Sequence, residues 1–524
     1  MRHILASLVL VVLLFPALAF GETMDDLVVT DGLHYKKFTD VPFTGKVTGK
    51  NQGSFRNGKR DGPWVWYYDN GRIESKVTFK DGKADGPWVR YSDNGQLFYK
   101  GTFKDGKEDG PWVRYHDNGQ LWSKGTWKDG KRIGVWIEYD RDGRIWKEVT
   151  YENGKQGTWV EYKYYENGQL ESKGTYKNGE KDGPGVRYYD NGQLRSKGTR
   201  KDGKLDGPWV GYYDNGQISS EGTYKTGKED GPWVGYYDNG QIASKGTYKN
   251  GERDGPWVRY RFGNGQVIYK GTFKNGKGDG PWVGYWDNGQ LRTKGTFKDG
   301  KEDGPWVYYM DNGQLSFKGT FKDGKRDGPW VGYNEDGTVD EERTGTYKDG
   351  KFDGPWIIYW DNGQLLGRGT WKDGKSDGPW VGYYENGQLS YNGTYKNGEK
   401  DGLWVRYYDN GQLSTKGTFK NGKEDGPWVR YHDNGQLWDI GTYKDGKKDG
   451  PWVWYHDNGQ LLLKGTRKDG KLDSPWVSYR RDGQLLWKGT YKDGKKDGPW
   501  VFYNKDETVN EERTGTYKDG EKVD

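Results

Sequence analysis

Three histidines sit at equivalent positions of a recurring pattern, and their chemistry raises the question of a metal site. His116, His432 and His456 each precede Asp-Asn-Gly, at a position that elsewhere usually holds Tyr. A metal centre needs several ligands that converge on one point, whereas these histidines lie in different repeats. We therefore predict that they are substitutions at a tyrosine position and that the chain holds no metal.

The acidic string Asp105-Gly106-Lys107-Glu108-Asp109-Gly110 superficially resembles a calcium loop. Such a loop needs an oxygen ligand at its third position, which is occupied here by Lys107. Asp and Gly are also the residues that tight turns prefer. The string therefore predicts a turn rather than a calcium site.

The other carboxylates recur with the same period as the rest of the chain. Catalysis needs a few unlike groups in one pocket, and a repeat places the same groups in every unit. No serine-histidine-aspartate pattern, phosphate-binding loop or dinucleotide fingerprint interrupts the period. The sequence also has no Cys, which excludes disulfides and cysteine nucleophiles. We predict a protein that is not an enzyme and needs no cofactor.

The aromatic residues are the strongest signal, because 28 Trp and 41 Tyr are too many for a solvated coil. A Trp followed by Val or Ile recurs at intervals of nearly always 24 residues, and Gly185 fills the one missing position. Trp136 and Trp159 belong to weaker units of the series. We predict an aromatic ladder formed by Trp64, Trp88, Trp112, Trp209, Trp233, Trp257, Trp282, Trp306, Trp330, Trp356, Trp380, Trp404, Trp428, Trp452, Trp476 and Trp500.

Two interpretations of this ladder stay open. The rings can hold a thin sheet together by stacking on glycine and on each other. They can also bind sugars, choline-like cations or the apolar residues of a partner.

One repeat, residues 85–106, shows which elements position the rings. Asn94-Gly95 and Asp105-Gly106 are both strong hairpin signals, and strand-forming runs lie between them. The fold class is therefore all-β. We predict an elongated antiparallel β-meander, a solenoid-like ribbon of about 19 hairpin repeats of 24 residues.

The register of the hairpin predicts the two faces of the sheet. With Asn94-Gly95 as a two-residue type I′ loop, Ser92 faces Leu97, Arg90 faces Tyr99 and Trp88 faces Gly101. One face then carries Trp88, Leu97, Gly101 and Phe103. Each indole is expected to lie across the glycine opposite it in its own hairpin, as in the pairs Trp112 with Gly125, Trp209 with Gly222 and Trp306 with Gly319.

The chain is predicted to have three parts. Residues 1–21 combine Arg2, an apolar run and a small-residue cleavage site, which is the plan of a signal peptide. Residues 22–52 are expected to form an N-terminal cap and residues 53–524 the repeat array. A possible joint lies near 334–346, where a string found in the last repeat also occurs in mid-chain.

Lys and Arg total 83 against 77 acidic residues, and the two signs alternate along the chain. No basic block stands out, so nucleic acid is not an expected partner. The signal peptide predicts a secreted or periplasmic protein.

The repeat resembles the MORN repeat variant found in bacterial proteins of the YwqK-type antitoxin family. The matching pattern includes Gly231, Trp233, Tyr236, Asn239, Gly240, Ile242, Lys245, Gly246 and Tyr248, and it recurs in the other units. The resemblance implies hairpin ribbons that contact proteins and, in some cases, lipid headgroups.

These observations predict an extracytoplasmic scaffold that engages protein partners of unknown identity over many equivalent units. The position two residues after each Trp varies and is expected to project from the sheet and tune binding, as with Trp66, Arg90, Arg114, Glu138, Gly211 and Tyr308. Binding of cell-envelope glycan or of lipid headgroups on a membrane surface is one alternative. Inhibition of a toxin is another.

Overall fold

The computed structural model describes residues 21–524, and the predicted signal peptide lies outside them except for Gly21. The chain divides into two compact units, Met1–Glu252 and Arg253–Asp524. The described residues form strands and turns, with one 3₁₀ turn at Met24–Asp26 and no α-helix. The prediction of an all-β fold is confirmed, because each unit is an open meander of antiparallel hairpins.

Each repeat pairs a strand that carries the anchor position, here called the Trp strand, with a return strand. The Trp strands of the first unit are Gly62–Tyr67, Lys83–Tyr91, Gly110–Tyr115, Lys131–Tyr139, Lys155–Tyr164, Glu180–Tyr188, Lys204–Tyr212 and Lys228–Tyr236. Its return strands are Ile73–Lys80, Leu97–Lys104, Leu121–Lys128, Ile145–Glu152, Leu170–Lys177, Leu194–Lys201, Ile218–Lys225 and Ile242–Lys249.

The second unit repeats the same plan. Its Trp strands are Gly255–Tyr260, Lys277–Tyr285, Gly304–Tyr309, Gly328–Tyr333, Gly354–Tyr359, Gly378–Tyr383, Glu399–Tyr407, Lys423–Tyr431, Gly450–Tyr455, Lys471–Tyr479 and Gly498–Phe502. Its return strands are Val267–Lys274, Leu291–Lys298, Leu315–Lys322, Val339–Lys348, Leu365–Lys372, Leu389–Lys396, Leu413–Lys420, Leu437–Lys444, Leu461–Lys468, Leu485–Lys492 and Gly515–Lys518.

Short strands precede many of the Trp strands that begin at glycine. They are Lys59–Arg60, Lys107–Glu108, Glu252–Arg253, Lys301–Glu302, Lys325–Arg326, Lys351–Phe352, Lys375–Ser376, Lys447–Lys448 and Lys495–Lys496. A further short strand, Glu521–Lys522, follows the last return strand. The N-terminal strands are Glu22–Thr23, Leu27–Thr30, Leu33–Lys36, Gly45–Thr48 and Asn51–Arg56.

A small core closes the N-terminal end of the first unit. Glu22–Thr23 pairs in parallel with Val47 and Thr48. Leu27, Val47, Phe55, Trp64 and Val77 form a buried cluster there. The predicted boundary between a cap and an array stays a prediction.

The Asp-Gly turn has the geometry that its sequence predicts. Asp105 has φ 49° and Gly106 has φ 82°, and Lys104 pairs with Lys107 across the turn. Positive φ at both central residues defines a type I′ hairpin. The turn prediction for the acidic string is therefore confirmed.

The prediction of a type I′ loop at Asn94-Gly95 is wrong. Only Gly95 has positive φ there, and the Ser92 amide donates to Gln96 O at 2.8 Å while the Gly95 amide donates to Ser92 O at 2.8 Å. This is a three-residue loop that ends in a left-handed glycine. The Asn94 side chain stabilises it by accepting a hydrogen bond from the Gln96 amide at 2.9 Å.

The three-residue loop shifts the pairing of the two strands by one residue, and a bulge on the return strand reverses this shift. Leu97 pairs with Tyr91 rather than facing Ser92, so its predicted place on the tryptophan face is also wrong. Phe98 is the extra residue of the bulge. Beyond it the predicted pairs of Arg90 with Tyr99 and of Trp88 with Gly101 are confirmed.

A second irregularity lies at Asp-Gly-Pro, just before most of the anchor positions. Phe103 pairs with Glu108, but Lys100 pairs with Val113, so two extra residues enter between these pairs. Gly110 has φ 107°, and the Thr102 hydroxyl donates to Asp109 O. An insertion of two keeps the alternation of side chains. The indoles therefore share one face within each unit, as predicted.

The segment 334–346 interrupts the regular pairing of the second unit. Trp330 pairs with Gly345 and Gly332 pairs with Asp340, so the return strand loops out residues between them. Lys351–Phe352 ends one hydrogen-bonded sheet and Gly354–Tyr359 begins the next. The proposed joint itself stays a prediction.

Both rows of turns are tied together along each unit by side chains. The Asn118 amide group donates to Arg141 O of the next turn at 2.8 Å, and this pattern recurs along the Asn-Gly edge. On the Asp-Gly edge, the Asp85 carboxylate accepts from the Asp105 amide at 3.2 Å. The turn residues therefore join neighbouring repeats as well as shaping their own loops.

Candidate functional site

The tryptophan face, defined as the side of each sheet that carries the anchor indoles, holds an alternating ladder of rings. The second ring comes from the Phe, Tyr or Trp of the return strand. Tyr395 and Trp404 lie 4.9 Å apart at 86°, Trp404 and Phe419 6.1 Å apart at 77°, and Phe419 and Trp428 5.2 Å apart at 77°. These edge-to-face contacts are a favoured aromatic geometry.

Most indoles lean toward the preceding hairpin. A Cβ added to Gly393 would overlap the ring of Trp404, and Gly417 is covered in the same way by Trp428. The predicted register pairs, such as Trp404 with Gly417, exist. The prediction that an indole lies across the glycine of its own hairpin is wrong, because the ring covers the glycine one hairpin earlier.

The same correction applies to the three pairs named from the sequence. Trp112 is in register with Gly125, Trp209 with Gly222 and Trp306 with Gly319. The rings that cover these glycines belong to Trp136, Trp233 and Trp330.

A hydrogen bond accompanies this direction in most repeats. The indole N–H of Trp404 donates to Thr394 O at 3.0 Å, and that carbonyl lies directly after the covered glycine. Trp306 donates to Thr296 O and Trp500 to Thr490 O, both at 3.0 Å. The ring can reach this carbonyl because the intervening residue has no side chain.

Valine replaces the covered glycine in two repeats, and the ring moves. Val77 takes the glycine position before Trp88, whose indole nitrogen has no hydrogen-bond partner among the described residues. Val149 takes it before Trp159, and that indole instead stacks on Tyr176 of its own hairpin at 5.3 Å and 6°. Glycine is therefore required for the usual ring position.

Burial separates the anchors into two groups. Buried indoles, with 0–7% of their surface exposed, are Trp64, Trp112, Trp136, Trp257, Trp306, Trp330, Trp380, Trp404, Trp452, Trp476 and Trp500. Half-buried ones are Trp88, Trp159, Trp209, Trp233, Trp282, Trp356 and Trp428. The ladder is thus mainly a structural core, and its predicted role in binding stays a prediction.

Cations cap several of the buried indoles from the position four residues earlier. Lys448 Nζ lies 4.1 Å from the ring centroid of Trp452, and the guanidinium of Arg132 lies 4.3 Å from that of Trp136. Burial lowers the pKa of Lys448, so this ammonium group has lost part of its hydration. A cation over an indole face is attractive, and it closes the ladder against solvent.

The position two residues after each anchor lies on the same face, beside the ladder, and is paired with a return-strand residue. Arg114 pairs with Ser123, and Tyr308 pairs with Phe317. Trp66 and Tyr308 stack on their own anchors at 5.7 and 5.9 Å, so these two pack against the ladder instead of projecting freely. Arg90, Arg114 and Glu138 are half-buried, and Gly211 is buried. The residue at this position nevertheless differs from repeat to repeat, so the positions together form a variable row beside the ladder.

The ladder is interrupted once within the first unit. Gly174, Gly185 and Gly198 pair in register across three strands, and Arg200 takes the place of the second ring. A cavity of about 620 Å³ lies here, with Tyr176, Lys181 and Trp209 among its lining residues. Sequence analysis found the missing Trp at Gly185 but missed Arg200, although Arg in an otherwise aromatic position was a visible signal.

The opposite face carries a row of exposed lysines. They are Lys76, Lys100, Lys124, Lys173, Lys197 and Lys245 in the first unit, and Lys270, Lys294, Lys318, Lys416, Lys464 and Lys488 in the second. Each occupies the position before the strand glycine, except Lys76, which precedes Val77. This face was not identified from the sequence as a site.

The histidines have structural hydrogen bonds. His116 Nε2 lies 2.9 Å from Tyr139 O, and the Tyr68 hydroxyl donates to Tyr91 O at 2.8 Å in the equivalent place. The interpretation as tyrosine substitutions is confirmed. Across residues 21–524, no group of three or more His, Asp or Glu side chains could hold a metal ion.

The described part of the chain contains no helix of the length and apolar character needed to cross a membrane.

Solved structures with similar segments share little with the chain as a whole. A crystal structure of TcdB2-TccC3-Cdc42 is 12% identical, with 86% of this chain and 30% of that chain covered and a TM-score of 0.14. A structure of the Photorhabdus luminescens Tc holotoxin pore is 12% identical, with 90% and 26% covered and a TM-score of 0.17. The chain therefore spans less than a third of either protein. No curated protein matches it.

Sequence families give a clear result. The MORN repeat variant matches residues 60–81, 84–105, 108–129, 132–153, 160–178, 205–226, 229–250, 278–299, 302–323, 352–373, 376–397, 400–421, 424–445 and 448–469. The MORN repeat matches residues 173–194 and 269–281. These matches cover more than half of the chain, whereas the narrower resemblance to YwqK-type antitoxins stays a prediction. The chain belongs to the MORN repeat variant family.

Proposed function

We propose that the protein is an extracytoplasmic scaffold that binds protein partners through the tryptophan face. The observation that carries this proposal is the changing row of residue pairs beside a nearly constant ladder. One repeat presents Arg406 with Thr415, and the next presents Arg430 with Asp439. A row of unlike pairs offers a different surface at each repeat, which suits a folded protein partner.

The burial of the indoles disfavours the glycan alternative. A sugar-binding platform or a cage for choline-like cations needs accessible ring faces. Trp64 and Trp452 are 0% exposed, and Lys448 already covers the second of these rings. The ladder therefore serves mainly to hold the variable row in place.

Site-specific photo-crosslinking tests the proposal on the full chain. A photo-crosslinking amino acid replaces Arg406, which is exposed on the tryptophan face, and in a matched variant it replaces Lys416, which is exposed on the opposite face. We expect crosslinks to protein from the first position and few from the second. Equal crosslinking from both positions, or none from Arg406, would refute the proposal.

Anionic membrane surfaces are the second candidate, because the lysine row faces away from the ladder. Lys100 and Lys124 are both exposed on that side, and lysines near an anionic lipid surface each contribute about 1 kcal/mol. Binding to vesicles with anionic lipid, lost at high salt and in the variant Lys100→Glu/Lys124→Glu, would support this function. Charge reversal of Arg406 is the control.

The extracytoplasmic location rests on the leader, residues 1–21. Cell fractionation, with N-terminal sequencing of the mature protein, tests it directly. A cytoplasmic protein that keeps residues 1–21 would contradict this location and favour inhibition of a toxin, which co-expression rescue would examine.

A further inference from the structure

The interruption of the ladder in the first unit has the form of an empty ring position. A Cβ added to Gly174 meets nothing within 4 Å. At Gly185, where the anchor indole is missing, an added Cβ would lie 3.5 Å from the nearest atom, Lys173 O. Intact repeats fill the equivalent space with an indole, so the gap has the dimensions of a flat aromatic group.

The floor and ends of the gap are suited to such a group. Gly174, Gly185 and Gly198 give a bare backbone surface three strands wide. The stacked rings of Trp159 and Tyr176 stand at one end. Trp209 at the other end leans over Gly211 and stacks on Trp233 at 5.7 Å and 13°. Its Cδ1 would lie 2.9 Å from a Cβ added to Gly198, so the open part of the floor is Gly174 and Gly185.

A hydrogen-bond acceptor is already in place. In intact repeats the indole N–H donates to the Thr carbonyl that follows the covered glycine, as Trp136 does to Thr126 O at 3.2 Å. Thr175 follows Gly174 and places its carbonyl at the equivalent point. An incoming indole can therefore make the bond that the repeat itself lacks.

The charges around the gap favour an incoming aromatic ring that has anionic groups beside it. Lys181, Arg187 and Arg200 all line the cavity, and none of them forms a salt bridge within residues 21–524. Burial, followed by the charges of Arg200 and Arg187, lowers the pKa of Lys181. Glu161 and Glu171 are the acidic residues that also line the cavity, and after burial the Glu161 charge is the next cause of the raised pKa of Tyr176.

We infer that this gap, here called the glycine gap, is a docking site for an aromatic side chain flanked by carboxylates in an acidic segment of a partner protein. The inference rests on the proposed function and names one site and one partner chemistry for it. The partner's ring completes the ladder over Gly174 and Gly185, and its carboxylates pair with Lys181, Arg187 and Arg200.

Peptide binding by the full-length protein tests the inference. The probe is a fluorescently labelled peptide with one Trp between Asp and Glu residues, read by anisotropy. We expect wild-type protein to bind it, and binding should weaken at least about 10-fold, or about 1.4 kcal/mol, when Ala replaces the Trp or amides replace the carboxylates. Binding should also weaken as salt increases.

Protein variants locate the bound peptide. Gly185→Trp supplies the missing indole from within the chain, so we expect peptide affinity to fall at least about 10-fold. Arg187 is exposed, and Arg187→Glu should weaken binding without unfolding the sheet. Lys173→Glu, on the opposite face of the adjacent strand, is the matched control and should bind like wild type.

Hydrogen exchange in residues 170–201 shows whether Gly185→Trp is folded, with protection at least equal to that of wild type. Equal affinity of wild type and Gly185→Trp, equal binding of the Ala peptide, or equal effects of Arg187→Glu and Lys173→Glu would overturn the inference. Crosslinking at Arg406 without peptide binding would refute the glycine gap alone. Loss of crosslinking at Arg406 with peptide binding intact would refute the broader scaffold alone.

Discussion

The indole of Trp404 covers Gly393 of the preceding hairpin and donates its N–H to Thr394 O at 3.0 Å. This one contact explains why Trp, Gly and Thr recur together. It also joins each repeat to the one before it. The folding unit is therefore the contact between successive hairpins rather than the single hairpin.

Gly393→Ala should destabilise its repeat by about 1–3 kcal/mol, because the added methyl overlaps the indole of Trp404. The matched variant Gly174→Ala, where the same methyl meets nothing within 4 Å, should be nearly neutral. Hydrogen exchange of Leu389–Lys396 and of Leu170–Lys177 measures both effects locally. Equal losses of protection would show that the ring contact does not determine the cost.

The sequence predicts the strands, the period and the common face well, because aromatic spacing and turn residues are local signals. Trp88 does pair with Gly101 as the hairpin register predicts. The wrong pairing of Ser92 with Leu97 arose from assigning Asn-Gly to a two-residue loop. The bulge at Phe98 then restored the register, so the error did not spread.

The direction of the rings could not be read from the pattern, because in the intact repeats the strand glycine has a Trp in register on both neighbouring strands. Gly417 pairs with Trp404 and with Trp428, and only Trp428 covers it. In most repeats the covering indole also reaches the Thr carbonyl that follows the glycine, as Trp428 does with Thr418 O. The Asp-Gly-Pro irregularity lies between the two strands concerned, and it is a property of the folded backbone.

Lys448→Met should destabilise its repeat by about 0.5–2 kcal/mol, since it removes a cation from the partly desolvated face of Trp452. Methionine keeps the apolar length of the side chain. Lys447→Met, at the preceding exposed position, is the control and should change stability little. Urea unfolding followed by tryptophan fluorescence compares the two, and equal effects would count against a cation–π contribution.

Asn434→Asp should weaken the Asn-Gly edge by about 1 kcal/mol, the net value of one hydrogen bond. The Asn434 side chain donates to Asp457 O at 2.7 Å and accepts from the Gln436 amide at 3.0 Å. An aspartate keeps the second bond and loses the first, as Asp482 does in its own turn. Faster hydrogen exchange around Asp457, with the Gln436 amide still protected, is the expected result.

Deprotonation of the Tyr308 hydroxyl should lower the free energy of unfolding at alkaline pH. Burial, and then the nearby Glu302 charge, raises the pKa of Tyr308 to about 12, whereas an unfolded tyrosine has a pKa of about 10. The unfolded chain therefore loses this proton first, and the contribution is complete below pH 10 and declines up to about 12. Tyr308→Phe should reduce the decline in denaturation midpoint over this window.

Tyr309→Phe controls for the loss of a tyrosine hydroxyl at the adjacent position on the opposite face. Ultraviolet absorbance of tyrosinate follows ionisation, and urea midpoints follow stability. A decline in stability that is the same in wild type and Tyr308→Phe would contradict the assignment.

Single substitutions of Arg430 and of Asp439 should destabilise the protein by different amounts, and the double substitution should restore most of the larger loss. Asp439 is 0% exposed, and Arg430 Nε donates to its Oδ1 at 2.8 Å. Arg430→Gly leaves a buried carboxylate without its partner and should cost about 3–5 kcal/mol. Asp439→Ser should cost less, because the Arg430 side chain is 29% exposed and reaches water.

The double variant Arg430→Gly/Asp439→Ser recreates the pair that Gly211 and Ser220 form elsewhere in the chain. It should recover most of the stability lost in Arg430→Gly, because no charge remains buried without a partner. Unfolding by urea of the two single variants and the double variant gives the coupling energy directly. Additive losses would mean that the carboxylate is solvated after Arg430 is removed. Recovery would show that these positions exchange as pairs, which is how a constant ladder can carry a surface that varies from repeat to repeat.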